Sequence, residues 1–293
     1  MEETKTPASL TVQDYLSTEE NQWCPGCGNF GILTAVKRSL VELKLEPHQV
    51  LFVSGIGQAG KAPHYLKCNL LNELHGRALP AAIAAKIVNP GLTVIAEGGD
   101  GDGYGEGGNH FIGAMIRNVH VTYLVHDNQV YALTKGQASP TSSPGFITKT
   151  TLSGAGEPLN PLALAVAANA SFVARSYSAD TEHLSNIISQ AIRHKGFALV
   201  DILQPCVTYN HVNTYQFYQD HLYKLEDDKS YDPADRVAAF KKSLEWGEKI
   251  PIGLFYKCER PEFVERLQVS KDVPLVKHEL DPMKVEKLLD EFI

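Results

Sequence analysis

The chain has 293 residues, a net charge of −7, and 43% hydrophobic and 21% charged residues. That suffices for one large globular α/β domain or two small ones, and the negative balance argues against nucleic acid and anionic membrane surfaces. No apolar run approaches the ~18–20 residues that span a bilayer, and the polar, acidic opening has no signal-peptide pattern, so a cytoplasmic protein is expected.

Residues 1–22 read as an N-terminal arm, flexible or bound to a partner. Trp23 to Gly28, W-C-P-G-C-G, is a tight loop before an amphipathic helix from about Asn29 to Leu43. Val50 to Ser54 is a short buried strand ending in the glycine turn Gly55-Ile56-Gly57. Gln58 to Glu73 reads as loop and carries Lys61, His64 and Cys68. His75-Gly76-Arg77 opens a helix from about Ala78 to Val88, apolar nearly all round and therefore buried.

The centre of the chain is more specific. An apolar run from Leu92 to Ala96 predicts a buried strand, followed by G-G-D-G-D-G from Gly98 to Gly103. Gly99, Asp100, Gly101 and Asp102 lie where glycines let backbone N–H groups approach an anion. A helix from about Gly107 to Arg117 points its N-terminus at the same place. A second apolar run, Val119 to Val125, ends in Asp127-Asn128. Asp100 and Asn128 therefore stand at the C-terminal ends of two strands, where parallel α/β sheets bind ligands. A hard cation bridging a diphosphate needs few protein oxygens, and Asp100, Asn128 and the Val130 carbonyl would suffice as magnesium ligands.

Further on, Pro161 to Ala168 and Thr181 to His194 read as helices, and Phe172 to Ser176 and Phe197 to Leu203 as strands. This alternation predicts a doubly wound, mostly parallel sheet with helices on both faces. Beyond Cys206 the texture becomes aromatic and polar, then helical from Pro233 to Gly247, apolar from Ile250 to Tyr256, and helical near Val264 and Val285. The organisation expected is an arm (1–22), an α/β domain (23–206) and an extension (207–293) packed on that domain.

Two motifs admit competing readings. Five cysteines without a secretory signal argue against a disulfide framework. Cys24-x-x-Cys27 suits a redox dithiol, half a zinc site, or, with two further cysteines, an iron–sulfur cluster. Gly103 to Gly108 satisfies G-x-G-x-x-G, which would serve a nicotinamide- or flavin-dependent dehydrogenase. That fingerprint should begin at the strand end, however, and here the acidic G-G-D-G-D precedes it. A zinc-stabilised, non-catalytic binding module is the third class.

The Gly-Asp-Gly…Asn pattern resembles the thiamine-diphosphate motif. With W-C-P-G-C-G and K-G-Q-A-S-P-T, it is similar to the β subunits of 2-oxoacid:ferredoxin oxidoreductases from roughly Trp23 to Asn210. The resemblance implies thiamine diphosphate, Mg²⁺ and a [4Fe–4S] cluster. It places Gly55, Ile56, Gly57 and His75 beside the cofactor, His75 as a proton-handling group. Cys24, Cys27 and Cys206 match its cluster ligands. Relatives with the G-I-G-C form carry a cysteine where this chain has Gln58, and Cys68 is the replacement expected. Cys258 matches nothing and is expected to be a buried thiol. The activating glutamate is expected from a separate α subunit, in a dimer of αβ heterodimers. The activity implied is coenzyme A-dependent oxidative decarboxylation with electrons passed to ferredoxin. Lys61 and Lys135 sit in loops aimed at the site, where a cation would favour 2-oxoglutarate over pyruvate.

Overall fold

The computed structural model describes residues 10–266, 273–279 and 289. Eight strands form one sheet: β1 (Val50–Ser54), β2 (Asn69–Asn72), β3 (Thr93–Gly99), β4 (Thr122–Asp127), β5 (Phe172–Tyr177), β6 (Ala198–Leu203), β7 (Leu222–Lys224) and β8 (Ile250–Lys257). Their order is β2-β1-β3-β4-β6-β5-β8-β7, parallel at every pairing except β5 with β8.

The strands read as continuous apolar runs because helices cover both faces. Helices α1 (Asn29–Glu42) and α5 (Thr181–Arg193) pack one face; α2 (Ala78–Val88), α3 (Gly108–Arg117) and α4 (Pro161–Ala167) pack the other. Side chains alternate between the layers with period two. Val94 and Ala96 of β3 join Phe111 and Met115 of α3, whereas Ile95 joins Ile32 and Val36 of α1. Local chemistry starts the helices: Asn160 caps α4 by accepting from Ala163 N–H at 2.9 Å, and Asp180 caps α5 by accepting from His183 N–H at 3.1 Å.

Several expectations need adjustment. The arm is tied down from residue 10 onward: Tyr15 is fully buried, and its hydroxyl donates to the Leu45 carbonyl. The predicted loop 58–73 contains a 3₁₀ turn (Ala59–Tyr65) and the edge strand β2, whose N-L-L-N sequence is exposed throughout and offers no burial pattern to read. The helix predicted over 233–247 shortens to α7 (Arg236–Ser243), because Asp235 caps it through Val237 and Ala238 N–H. After α6 (Tyr215–His221), the C-terminal segment adds β7 and β8 to the sheet. A short helix, Phe263–Arg266, includes Val264, whereas Val285 lies outside the described residues. No helix among the described residues is long and apolar enough to cross a membrane.

One polar interaction crosses the core. Arg175 of β5 and Asp201 of β6 face each other in register, with Nε 2.8 Å from Oδ2, and Tyr104 donates to the other carboxylate oxygen at 2.8 Å. Removing one partner of so buried a pair strands the other charge in low dielectric. Arg175→Ala should therefore cost about 3–5 kcal/mol in urea unfolding. The double substitution Arg175→Met/Asp201→Leu should recover most of that loss. A single variant as stable as the parent would show that the pair does not hold this part of the sheet.

Candidate functional site

The sheet presents the C-terminal ends of β1, β3 and β4 side by side, and the loops leaving them form the site. Asp102 sits among them, in a turn of π-helix (Gly101–Glu106) between β3 and α3. Its Oδ1 accepts from Ile56 N–H at 3.0 Å and Gly76 N–H at 2.8 Å, and lies 2.9 Å from His75 Nδ1. One carboxylate thus joins the loop after β1, the H-G-R turn and the glycine-rich loop. The glycines permit this approach. A Cβ on Gly55 would stand 1.9 Å from Asp102 Oδ2, and Gly76, at φ +71°, has the Glu106 backbone 2.5 Å from where its Cβ would be. Gly55, Ile56 and His75, which the sequence places in two separate motifs, therefore meet at Asp102, with Gly57 next in the same loop. Half-exposed His75 also lies 3.6 Å from Glu106, which accepts from the Tyr131 hydroxyl at 3.2 Å.

Asp100 and Asn128 follow β3 and β4, which pair in register up to Gly99 and His126. Thr141 Oγ1 lies 2.7 Å from both Asp100 Oδ2 and Asp127 Oδ1, so it links the two carboxylates. Burial pushes the Asp100 carboxyl up to about 6 against hydrogen bonds from Ser139 and Thr141. Burial, then the nearby Asp201 and Asp100 charges, push Asp127 well above the usual range. Asn128 Oδ1 accepts from Val130 N–H at 3.0 Å, a turn that fixes the Asn128 side chain just past β4. Two buried carboxylates sharing one hydroxyl at the ends of adjacent strands fit a divalent cation, whose charge would offset their repulsion.

A third cluster lies beside the Asp127-Asn128 end of β4. Cys24, Cys27 and Cys206 line one small cavity with Trp23, Gln58, Gln204, Tyr209 and Asn128. The C-P-G-C turn closes through Cys27 N–H to the Cys24 carbonyl at 3.0 Å. Gln204 Nε2 donates to Cys27 Sγ at 3.4 Å. Burial raises the Cys27 thiol to about 11, and the neighbouring Cys206 and Cys24 push in the same direction. Metal binding would reverse that, since metals bind and stabilise thiolates. Among the described residues no three His, Cys, Asp or Glu side chains are placed to hold a single metal ion, and a polynuclear cluster spreads its thiolates over several corners. Cys68 is not brought into this cavity. It hydrogen-bonds the Asn69 carbonyl at 3.4 Å beside β2, and burial raises its thiol to about 12. Cys258, also a free thiol, is only partly buried.

Lys135 lines a separate cleft with Lys149, His211 and Tyr209, the last of which also borders the cysteine cavity. Lys61 lies on the turn after Gln58 and does not line this cleft. The dinucleotide reading of Gly103 to Gly108 is overturned. These residues continue the π turn rather than a strand end, and a Cβ on Gly103 would meet the Tyr123 hydroxyl at 1.9 Å. The glycine makes room for a core tyrosine, not for a pyrophosphate.

Several contributors carry no mark in the sequence. Thr141 stands inside K-G-Q-A-S-P-T without a signal of its own. Glu97 and His126, both 1% exposed, pair across β3 and β4 at 3.0 Å, and His126 reaches Asn29 Oδ1 at 2.8 Å. Embedded in apolar runs, their alignment is a product of strand register.

The sequence matches the family "Thiamine pyrophosphate enzyme, C-terminal TPP binding domain" over residues 51–202. Residues 206–272 match a second family, the C-terminal part of the pyruvate ferredoxin oxidoreductase beta subunit. The chain is 49% identical over 256 residues to the 2-oxoacid:ferredoxin oxidoreductase subunit beta of Saccharolobus solfataricus, covering 83% of this chain and 84% of that one. It is 38% identical over 258 residues to the 2-oxoglutarate synthase subunit KorB of Archaeoglobus fulgidus, covering 87% and 92%. The fold superposes, with a TM-score of 0.87, on a solved 2-oxoglutarate:ferredoxin oxidoreductase from Magnetococcus marinus with 2-oxoglutarate, coenzyme A and succinyl-CoA bound. That pair is 36% identical, with 95% and 96% of the chains covered.

Two substitutions separate binding from stability at this site. Asp102→Ala removes the acceptor shared by three loops, and thiamine diphosphate affinity, measured by calorimetry, should fall about tenfold or more. An unchanged affinity would show that the loops hold without it. Asp100→Asn should instead raise the melting temperature of cofactor-free protein while abolishing the shift given by Mg²⁺ with thiamine diphosphate. The sign follows from Asp100's raised folded-state pKa. Below its ordinary value of 3.8 the carboxyl is protonated folded or unfolded and the penalty is absent; it is complete once pH passes about 6. The stabilisation should therefore be evident at pH 7 and vanish near pH 4. Equal melting temperatures at pH 7 would count against a buried, strained Asp100.

Proposed function

This chain belongs to the 2-oxoacid:ferredoxin oxidoreductase β subunits, and from that premise we propose how its site works. The chain binds thiamine diphosphate with Mg²⁺ on Asp100, Asn128 and the Val130 carbonyl, and carries a [4Fe–4S] cluster on Cys24, Cys27 and Cys206. The observation that carries this reading is the position of Asn128. It follows β4 in the cation site and also lines the cysteine cavity, so the two sites share a wall.

Bound there, thiamine diphosphate supplies a nucleophilic carbon for the 2-oxo group and the cluster a one-electron outlet to ferredoxin. The protein's part is placement. Asp102 fixes the loops after β1 and β3, and its Oδ1, 2.9 Å from His75 Nδ1, keeps the imidazole beside them. His75 is the imidazole placed at the half-exposed end of the site, the group offered for proton transfer. Glu106 and Tyr131 flank that imidazole. Gly55, Ile56, Gly57, Gly99 and Gly101 lie on the two loops that face the cofactor, with open space over Gly57, and coenzyme A accepts the acyl group.

The activating glutamate for the aminopyrimidine belongs to a partner α subunit, and the working form is a dimer of αβ heterodimers. Support for a partner lies beside His75: Leu70, Leu71 and Leu74 are 44%, 38% and 76% exposed on one side of the site. The five cysteines are free, consistent with the reducing cytoplasm. The substrate is 2-oxoglutarate. Lys135, with Lys149 and His211 in the same cleft, offers positive charge to the distal carboxylate. Lys61, outside that cleft lining, is not assigned this contact.

Anaerobic co-purification with the α subunit tests the cofactors together: about four irons with sulfide and one thiamine diphosphate per β chain are expected. Thiamine diphosphate without iron would remove the electron path. Lys135→Ala should lower kcat/KM for 2-oxoglutarate by about tenfold to a hundredfold and leave that for pyruvate within about twofold. Equal losses with both acids would exclude Lys135 as the selector.

A further inference from the structure

The cysteine cavity contains three thiols and a fourth side chain of a different kind. Gln58 is held by its backbone, whose carbonyl accepts from the Trp23 indole N–H at 2.8 Å. Trp23 immediately precedes Cys24, so the same contact fixes Gln58 relative to the C-P-G-C turn. Gln58 Oε1 is buried in the cavity wall and has no hydrogen-bond partner among the described residues. Gln204 is 2% exposed, and its Oε1 is likewise unpartnered while its Nε2 donates to Cys27 Sγ. Buried amide oxygens without partners are costly unless something in the cavity accepts their lone pairs. An electron-deficient iron would.

The route from Gln58 to Cys68 is closed. Between them Ala59, Gly60, Ala62, Pro63, Tyr65 and Leu66 are buried, and Leu66 bridges to Leu16. Bringing Cys68 to the cavity would unpack this turn and pull its thiol from beside β2, where it bonds the Asn69 carbonyl.

We infer that the cluster has no fourth protein thiolate, and that the amide oxygen of Gln58 ligates its remaining iron. This rests on the reading that Cys24, Cys27 and Cys206 carry an iron–sulfur cluster. Two consequences follow from replacing an anionic sulfur with a neutral oxygen. The cluster is one negative charge lighter, so its reduction potential is higher than with four thiolates. The oxygen-bound iron is also the one most easily lost, since thiolate is the stronger ligand.

The holoenzyme, purified anaerobically with its α subunit, is treated with ferricyanide. The expected reaction takes the [4Fe–4S]²⁺ cluster to [3Fe–4S]⁺, releasing one Fe²⁺ into solution and one electron to ferricyanide. Iron should fall from about four to about three per β chain, with the EPR signal of an oxidised three-iron cluster. Gln58→Cys should abolish the loss and lower the potential; Gln58→Ala should release the iron faster; Cys68→Ser should leave the iron count and EPR unchanged. Stable iron in the parent, with loss in Cys68→Ser, would overturn the Gln58 assignment but keep the cluster. A parent holding neither iron nor sulfide would overturn the cluster itself, and the assignment with it.

Discussion

A single buried carboxylate holds the site in shape. Asp102 is 3% exposed, yet it engages Ile56, His75 and Gly76, residues from two loops well separated in the chain, and it sits on the third loop itself. Charge-assisted hydrogen bonds to backbone N–H groups are among the stronger polar contacts, and they offset part of its desolvation. Burial raises the Asp102 carboxyl, whereas Gly76 and Ile56 N–H and the His75 imidazole act to lower it. The glycines around it follow from this arrangement, because a Cβ at Gly55 or Gly98 would occupy the carboxylate's space. Loop order, glycine placement and imidazole orientation are thus aspects of one packing problem.

Around that centre the carboxylates divide by environment. Asp102 has two backbone N–H donors and the His75 imidazole beside it. Asp100 and Asp127 share Thr141 and face each other, so an added cation would relieve them where a further anion could not. Arg175 and Asp201 neutralise each other deeper in the sheet. The uncompensated carboxylates are thus the ones at the strand ends, and the compensated pair lies deeper in the sheet.

Much of this was legible in the sequence because both faces of the parallel sheet are covered. β3, β4, β5 and β6 appear as apolar runs, and the residues just past their ends, Asp100 and Asn128, are marked by glycine and by chain reversal. β2 was not legible: Asn69 to Asn72 lies at an exposed edge, where no burial pattern is imposed. Nor was the pairing of Glu97 with His126, which depends on the relative register of β3 and β4. For the cysteines, sequence separated the C-P-G-C turn and Cys206 from Cys258 through the resemblance of their surroundings. It could not judge Cys68, because the chain from Gln58 onward looks like sufficient slack until Ala62, Pro63 and Leu66 are found buried. The glycine fingerprint failed for a related reason, as Gly103 is small to admit Tyr123 from a neighbouring strand.

The β2 edge carries a consequence for the life of the newly made chain. It runs parallel to β1 with one side unpaired, displays Leu70 and Leu71, and contains neither proline nor lysine to discourage another strand from adding to it. Left uncovered, such a border offers its free backbone N–H and C=O groups to any further strand that can align with it.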